Sequence, residues 1–66
     1  MTKLIVQIPA YNEQDSIAEV IKSIPRKIPG INKVEVLVLD DGSKDNTSSI
    51  ARKAGADYVY RNNKNK

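Results

Sequence analysis

The chain has 66 residues, enough for at most one small domain with a marginal core, since a chain of this length buries only about 60% of its unfolded surface. It contains neither cysteine nor histidine, which excludes a disulfide framework, a thiolate zinc site and an imidazole general base. Eleven basic and eight acidic residues give a net charge of +3, but Phe and Trp are absent, so a nucleic-acid-binding platform of stacking aromatics is not expected.

The first predicted element is a β-strand over residues 3–8, where the sequence reads KLIVQI. A compact apolar run of this length is typical of a strand. Pro9 is predicted to end it, because proline lacks the N–H group that a central strand would donate to its neighbour. The run is too short for the core of a signal peptide or for a membrane span, so we expect a cytoplasmic protein.

An amphipathic helix is predicted next, beginning near Asn12. Asparagine is a favourable N-cap, and Asp15, three residues later, suits a capping box with it. Apolar residues then recur at i, i+3, i+4 and i+7, the spacing of one helix face: Ile17, Val20, Ile21 and Ile24. Pro25 and the pair at 29–30 (Pro-Gly) are predicted to stop the helix and to form the loop back to the sheet.

Residues 34–39, VEVLVL, are predicted to form a second strand. Branched aliphatic residues with a single charge indicate a strand that is buried on both faces of a parallel sheet. The run stops at two carboxylates, Asp40 and Asp41, and Gly42 then permits a sharp turn. This segment therefore predicts a strand that ends at a polar loop.

A second helix is predicted over residues 45–53, and Gly55 lies where a left-handed C-cap is expected. Residues 57–60, DYVY, form a third predicted strand. The order β-α-β-α-β, with crossovers long enough for helices, favours right-handed parallel connections. We therefore predict a Rossmann-like α/β unit, in which the first strand lies either beside the second or between the second and the third.

Two helices are too few to cover both faces of a parallel sheet, which normally carries helices on each face. The polar ending RNNKNK, directly after the third predicted strand, is also more typical of an interruption than of a finished domain. We therefore hypothesise that residues 1–66 are the N-terminal portion of one longer domain.

Polar side chains follow each of the first two predicted strands. Tyr11 and Glu13 come after the first strand, and Asp41 comes after the second. Because ligands of open α/β sheets bind outside the carboxyl ends of the strands, we expect these groups to share one rim. Carboxylates suit ribose hydroxyls and the N–H edge of a base, so the rim is interpreted as a site for the nucleoside end of a ligand. Taken singly, each motif also has a structural explanation, since Asp40 can cap the second helix and Asn12 can begin the first.

The segment IPAYNE, the amphipathic helix after it and the segment VLVLDDGSKDNT together resemble the opening of the family 2 glycosyltransferases, especially those that make polyprenyl-phosphate sugars such as dolichol-phosphate mannose. The resemblance covers essentially the whole chain. It implies the GT-A fold, a Rossmann-like sheet that binds a nucleotide-diphosphate sugar, with UDP and GDP both open. It also implies that five residues line the nucleoside pocket: Pro9, Tyr11, Glu13, Leu39 and Asp41. Asp41 would contact the base, while Asp40 would shape the turn.

Catalytic groups are not expected within this chain. The resemblance implies inverting transfer assisted by Mg2+ or Mn2+, whose Asp-x-Asp ligands lie on a later strand, beyond Lys66. The catalytic base and the acceptor site also lie beyond Lys66, so the chain alone is expected to be inactive. The acceptor, polyprenyl phosphate or a saccharide, decides whether the parent protein works at the cytoplasmic face of a membrane or in the cytoplasm.

Three other classes of protein are weighed against this interpretation. A dinucleotide-binding domain would carry G-x-G-x-x-G after the first strand, where this chain has PAYNEQ. A phosphoacceptor receiver domain would place its acid pair after the first strand, which here ends without aspartate. The remaining alternative is a non-catalytic nucleotide-binding α/β module, which is an apt description of the isolated 66 residues.

Overall fold

A computed structural model describes residues 2–62 of the chain. Strands and helices alternate along it: β1 (Lys3–Ala10), α1 (Ile17–Lys22), β2 (Lys33–Asp40), α2 (Thr47–Lys53) and β3 (Tyr58–Arg61). The strands pair in parallel in the spatial order β1-β2-β3. The predicted α/β class and the parallel pairing are therefore confirmed. The sequence left two positions open for the first strand. In the structure β1 lies beside β2 only, and it forms one edge of the described sheet.

The hydrophobic core lies between the two helices and one face of the sheet. Val36 and Val38 of β2 point to this face and are fully buried. They pack with buried residues from both helices: Ile17, Ile21 and Ala51. Burying a side chain of the size of Ile17 contributes about 1.5–3 kcal/mol, so these few residues hold the unit together. The opposite face carries no helix within residues 2–62, and large side chains stay exposed there: Ile5, Tyr58 and Tyr60.

β1 continues through Pro9 to Ala10, so the prediction that proline ends the strand is wrong. Successive residues of a strand direct their N–H and C=O groups alternately to one side and the other. The Ala10 carbonyl accepts the Asp41 N–H at 2.9 Å, which shows that Ala10 faces β2 and Pro9 faces away from it. An N–H at position 9 would point away from β2, so its absence in proline removes no hydrogen bond between the two strands.

The predicted start of the first helix is also wrong, because α1 begins at Ile17 and Asn12 does not cap it. Asn12 has a φ of +52°, and its Oδ1 accepts the backbone N–H of Lys44 at 2.8 Å. The Glu13 carbonyl accepts the Ile17 N–H at 2.9 Å, which makes a turn ahead of the helix. Asn12 therefore forms no capping box with Asp15. Its side chain instead connects the loop after β1 to the loop after β2.

α2 begins at Thr47, slightly later than predicted, because Asp45 belongs to the turn before it. The Asp45 carboxylate accepts hydrogen bonds from the Thr47 hydroxyl and from the Thr47 N–H, the latter at 3.0 Å. These bonds hold the pKa of Asp45 below its usual value. Gly55 follows the helix with a φ of +109°, so the predicted left-handed C-terminal position is confirmed.

Candidate functional site

The register of the sheet places three side chains in one row near its carboxyl edge. Pro9 of β1 pairs with Leu39 of β2, and Leu39 pairs with Tyr60 of β3. Residues paired in this way point to the same face of a sheet. It is the face without helices, because Val38, the neighbour of Leu39 in the chain, points into the core. The three side chains therefore stand next to one another outside the core.

Two polar side chains follow this row, one from β2 and one from β3. The hydrogen-bond ladder continues past the strands, since the Asp41 N–H donates to the Ala10 carbonyl at 2.9 Å and the Asn62 N–H donates to the Asp40 carbonyl at 2.8 Å. The side chains of Asp41 and Asn62 also meet, with the Asn62 Nδ2 donating to Asp41 Oδ1 at 3.4 Å. A carboxylate and a carboxamide thus lie beside the apolar row.

A cavity of about 350 Å³ opens at this corner of the sheet. Its lining consists of the row and the residues that follow it: Pro9, Leu39, Asp40, Asp41, Tyr60 and Asn62. Ligand pockets typically measure about 300–1,000 Å³ and combine apolar walls with a few convergent polar groups. The cavity has both properties, so we take it as the candidate site.

The loops after β1 and after β2 are joined by hydrogen bonds in both directions. The Asn12 N–H donates to Ser43 Oγ at 2.7 Å, and the Glu13 N–H donates to Thr47 Oγ1 at 2.8 Å. In return, Asn12 Oδ1 accepts the Lys44 N–H. Ser43 and Thr47 are fully buried, which leaves water little access to compete for these bonds. The loop after β1 is therefore held in place by the loop after β2 and by the first residue of α2.

The Asp40 carboxylate is buried beneath the turn after β2. It accepts hydrogen bonds from the Ser43 N–H at 2.8 Å and from the Ser48 hydroxyl, and Arg61 Nη1 lies 3.5 Å away. Burial opposes ionisation of this carboxyl, but the hydrogen bonds and the charge of Arg61 outweigh it and hold the pKa of Asp40 below its ordinary value. Asp40 therefore shapes the turn, as the resemblance implied, and does not present its carboxylate to the cavity.

The structure brings together three of the five residues that were predicted to line the pocket. Pro9, Leu39 and Asp41 all border the cavity, and the side chain of Asp41 lies on the exposed surface. Tyr11 and Glu13 lie on the adjoining loop, outside the lining, and the Tyr11 side chain is 48% exposed. The fixed loop keeps both residues at the same carboxyl edge.

Two residues of this corner, Tyr60 and Asn62, were not predicted from the sequence. The alternation of Tyr58, Val59 and Tyr60 in the third strand does indicate that both tyrosines share one face. What the sequence did not supply is the register, which puts Tyr60 beside Leu39 at the carboxyl edge. The same register brings Asn62 to this corner, since Asn62 comes directly after the end of β3 at Arg61.

A second cavity, of about 490 Å³, is formed by the loop of residues 26–32 that leads into β2. It lies at the amino end of β2, away from the edge where Asp41 stands. Ligands of open parallel sheets bind at the carboxyl ends of the strands. The cavity beside Asp41 is therefore the better candidate, although it is the smaller of the two.

Neither a metal cluster nor a membrane-spanning helix is found in the part of the chain that the structure describes. Within residues 2–62, no three acidic side chains come together in a way that could hold a metal ion. Over the same residues, no helix has the length and apolar character needed to cross a bilayer. The predicted metal ligands beyond Lys66 fall outside the described residues and stay a prediction.

Comparison with known proteins gives a family match over nearly the whole chain. The model of the family described as glycosyl transferase family 2 matches residues 5–66. An uncharacterized protein of Methanocaldococcus jannaschii is 43% identical over a region that covers 94% of this chain and 27% of the relative. The family match therefore includes both segments on which the resemblance depends, IPAYNE and VLVLDDGSKDNT.

Two further relatives have names that state an activity. An uncharacterized glycosyltransferase of Mycoplasma genitalium is 39% identical over 96% of this chain and 24% of its own length. The undecaprenyl-phosphate 4-deoxy-4-formamido-L-arabinose transferase of Salmonella choleraesuis is 40% identical over 79% of this chain and 16% of its own length. The chain thus spans between 16% and 27% of the length of these three curated relatives.

Proposed function

Because this chain belongs to glycosyl transferase family 2, we propose that the protein containing it transfers a sugar from a nucleotide-diphosphate donor to an acceptor. Residues 2–62 supply the nucleoside end of the donor site. The observation that carries the proposal is the pairing of Pro9 with Leu39 in an apolar row beside the Asp41 carboxylate, at the carboxyl edge of the sheet.

Asp41 selects ligand groups that donate hydrogen bonds. An ionised carboxylate is an acceptor only, so it suits the N–H edge of a base or the hydroxyls of ribose and repels a phosphate. Uracil and guanine both present ring N–H groups, which makes UDP-sugars and GDP-sugars the two candidate donors. The base contacts the apolar surface of Pro9 and Leu39, and the charged diphosphate extends away from the carboxylate.

Tyr11 and Glu13 complete the nucleoside site from the loop after β1. Ser43 and Thr47 accept hydrogen bonds from the backbone N–H groups of Asn12 and Glu13, so the backbone that carries the two side chains is held at the rim. Preorganisation of this kind lowers the entropy cost of binding. Glu13 offers a second carboxylate for a ribose hydroxyl, and Tyr11 offers an aromatic face and a hydroxyl.

Catalysis itself requires groups outside residues 2–62. Contacts that bind a substrate and its transition state equally well do not accelerate the chemical step. The described residues do not form a site for the Mg2+ or Mn2+ that the family implies, since no cluster of ligands is found among them and the Asp40 carboxylate is already bonded to Ser43 and Ser48. We propose that the metal ligands and the catalytic base of the inverting transfer lie after Lys66.

A polyprenyl phosphate is the acceptor that we propose first. It is supported by the Salmonella relative, whose name specifies undecaprenyl phosphate. A lipid-linked acceptor would put the protein at the cytoplasmic face of a membrane, whereas a saccharide acceptor would leave it in the cytoplasm. The two acceptors can be separated by supplying each of them to the purified protein.

Calorimetry on the full natural protein tests the donor site. We expect UDP or GDP to bind, and Asp41→Asn to weaken that binding by about 1–3 kcal/mol, the scale of losing a charged hydrogen-bond partner. Asp15→Asn is the matched control, because Asp15 is an exposed acid that does not line the cavity. Unchanged affinity of the Asp41 variant for both nucleotides would remove Asp41 from the site.

Nucleotide release tests the reaction. The full natural protein is incubated with Mn2+, a UDP- or GDP-sugar and either undecaprenyl phosphate or a saccharide. Release that depends on one acceptor supports transfer to that acceptor. Nucleotide binding without release under any of these conditions would favour the non-catalytic nucleotide-binding module instead.

A further inference from the structure

We infer that Tyr60 of β3 is a nucleoside-binding residue whose ring forms a side wall of the cavity. The inference rests on the proposed function and extends the site from two strands to three. The cavity borders Tyr60 together with Pro9, Leu39 and Asp41. A base that rests one edge on Pro9 and Leu39 and directs another edge to Asp41 would place one of its flat faces against the ring of Tyr60.

The register of the sheet places Tyr60 at one end of the apolar row, beside Leu39. Tyr60 pairs with Leu39, which pairs with Pro9, so the row crosses all three strands of the described sheet. Neighbouring strands lie about 4.7–4.9 Å apart, which gives the row a width of about 10 Å. Pro9 and Leu39 have smaller side chains than Tyr60, and all three border the cavity. The tyrosine ring is therefore the largest apolar group that the row offers to a ligand.

Core packing does not account for Tyr60. Its side chain is 63% exposed, and within residues 2–62 no hydrogen bond involves its hydroxyl. Tyr58, on the same strand and the same face, is 51% exposed, but its hydroxyl donates to Glu35 Oε2 at 3.4 Å. Ligand pockets are lined largely by hydrophobic and aromatic side chains, and the lining of the cavity includes Tyr60 but not Tyr58.

The chemistry of a phenol ring defines what Tyr60 contributes. Aromatic side chains stack on the flat faces of bases, and the stacking tolerates any base because each has a π-face. Tyr60 therefore adds affinity for the nucleoside, whereas the hydrogen bonds of Asp41 discriminate among bases. Removing the ring should lower the affinities for UDP and for GDP by a similar factor.

The test is calorimetry of the full natural protein with UDP and with GDP. We expect Tyr60→Ala to weaken binding by roughly 5- to 150-fold, the range of base–aromatic stacking, and Tyr60→Phe to stay within about threefold because it keeps the ring. Tyr58→Ala is the matched control, since it removes the same side chain from the same strand outside the cavity. It should leave both affinities unchanged. Thermal unfolding checks each variant, and Tyr60→Thr, which suits a strand, replaces Tyr60→Ala if the latter does not fold.

The outcomes distinguish the inference from the function on which it rests. If the unmodified protein binds neither nucleotide, both fail. If it binds and Asp41→Asn weakens binding while Tyr60→Ala does not, only the role of Tyr60 is overturned. Equal losses from Tyr58→Ala and Tyr60→Ala would also overturn it, because the effect would then come from the strand rather than from the cavity wall.

Discussion

The backbone N–H of Asn12 donates a hydrogen bond to the hydroxyl of Ser43 at 2.7 Å, across 31 positions of the chain. This bond connects the loop that carries Tyr11 and Glu13 to the loop that carries Asp41. It is reinforced in the opposite direction, because Asn12 Oδ1 accepts the Lys44 N–H. The two motifs on which the family resemblance depends are therefore one hydrogen-bonded structure at the edge of the sheet.

Ser43→Ala should destabilise the protein by about 1–3 kcal/mol, because it leaves the Asn12 N–H without its acceptor in a part-buried position. Urea unfolding of the full natural protein measures the loss. Ser16→Ala is the control, since Ser16 is exposed and its side chain makes no capping bond to α1. Equal stability of the two variants would mean that the bond between the loops contributes nothing.

The depressed pKa of Asp40 predicts a loss of stability in acid. The folded-state pKa lies below the ordinary value of 3.8, so between the two values the unfolded chain binds more protons than the folded one. The stabilisation from the ionised carboxylate is therefore fully present above the ordinary pKa and is lost as the pH falls through the folded-state pKa. Asp40→Asn should be less stable than the unmodified protein near neutral pH, and the difference should shrink in acid.

Free energies of unfolding in urea, measured from about pH 7 down to about pH 3, test this prediction. Asp15→Asn controls for the loss of one negative charge at an exposed position. A difference between the Asp40 variant and the unmodified protein that stays constant over the whole range would contradict the linkage.

A third prediction on stability concerns Arg26, which connects the loop after α1 to the start of β3. Its guanidinium donates to Asp57 Oδ2 at 2.9 Å, to the Val34 carbonyl at 3.0 Å and to the Gly55 carbonyl at 2.8 Å. Arg26→Ala should cost about 1–2 kcal/mol, a modest value because the ion pair is partly exposed. Lys27→Ala, the neighbouring exposed residue, removes the same charge without these bonds and should have little effect in urea unfolding. Similar losses from both variants would indicate a general charge effect.

The strands and their parallel pairing followed from local information in the sequence. The apolar runs at 3–8 and 34–39 each lie within an observed strand, because continuous aliphatic residues have few other ways to be buried in so short a chain. The position of Asp41 at the carboxyl edge of the sheet followed from the same topology. These parts of the structure depend on patterns within single segments.

The parts that sequence reasoning missed depend on contacts between segments. Asn12 was predicted as a helix cap from its neighbours, but its carboxamide binds Lys44, 32 positions away. Tyr60 and Asn62 reach the cavity only through the register of β3 against β2. The alternation of Tyr58, Val59 and Tyr60 indicates the face of each residue but not that register, since a shift by two residues would keep every face and move Tyr60 away from Leu39.

Gly42 permits a close approach between the turn after β2 and the residue that follows β3. Its φ is +83°, and a Cβ at this position would lie 3.2 Å from the Asn62 carbonyl oxygen. Gly42→Ala should therefore cost about 1–2 kcal/mol for the left-handed conformation, and it should also displace Asn62 at the cavity. We expect the variant to lose both stability and nucleotide affinity.

Gly30→Ala separates these two effects. Gly30 has a similar φ of +86°, but nothing lies within 4 Å of the Cβ that alanine would add. It therefore carries the same conformational cost without moving a neighbour, and it lies outside the lining of the cavity beside Asp41. Urea unfolding should show a loss for Gly42→Ala at least as large as that for Gly30→Ala, whereas calorimetry with UDP and GDP should show weaker binding for Gly42→Ala alone. If Gly42→Ala binds both nucleotides as tightly as Gly30→Ala does, then the position of Asn62 does not matter for the nucleoside.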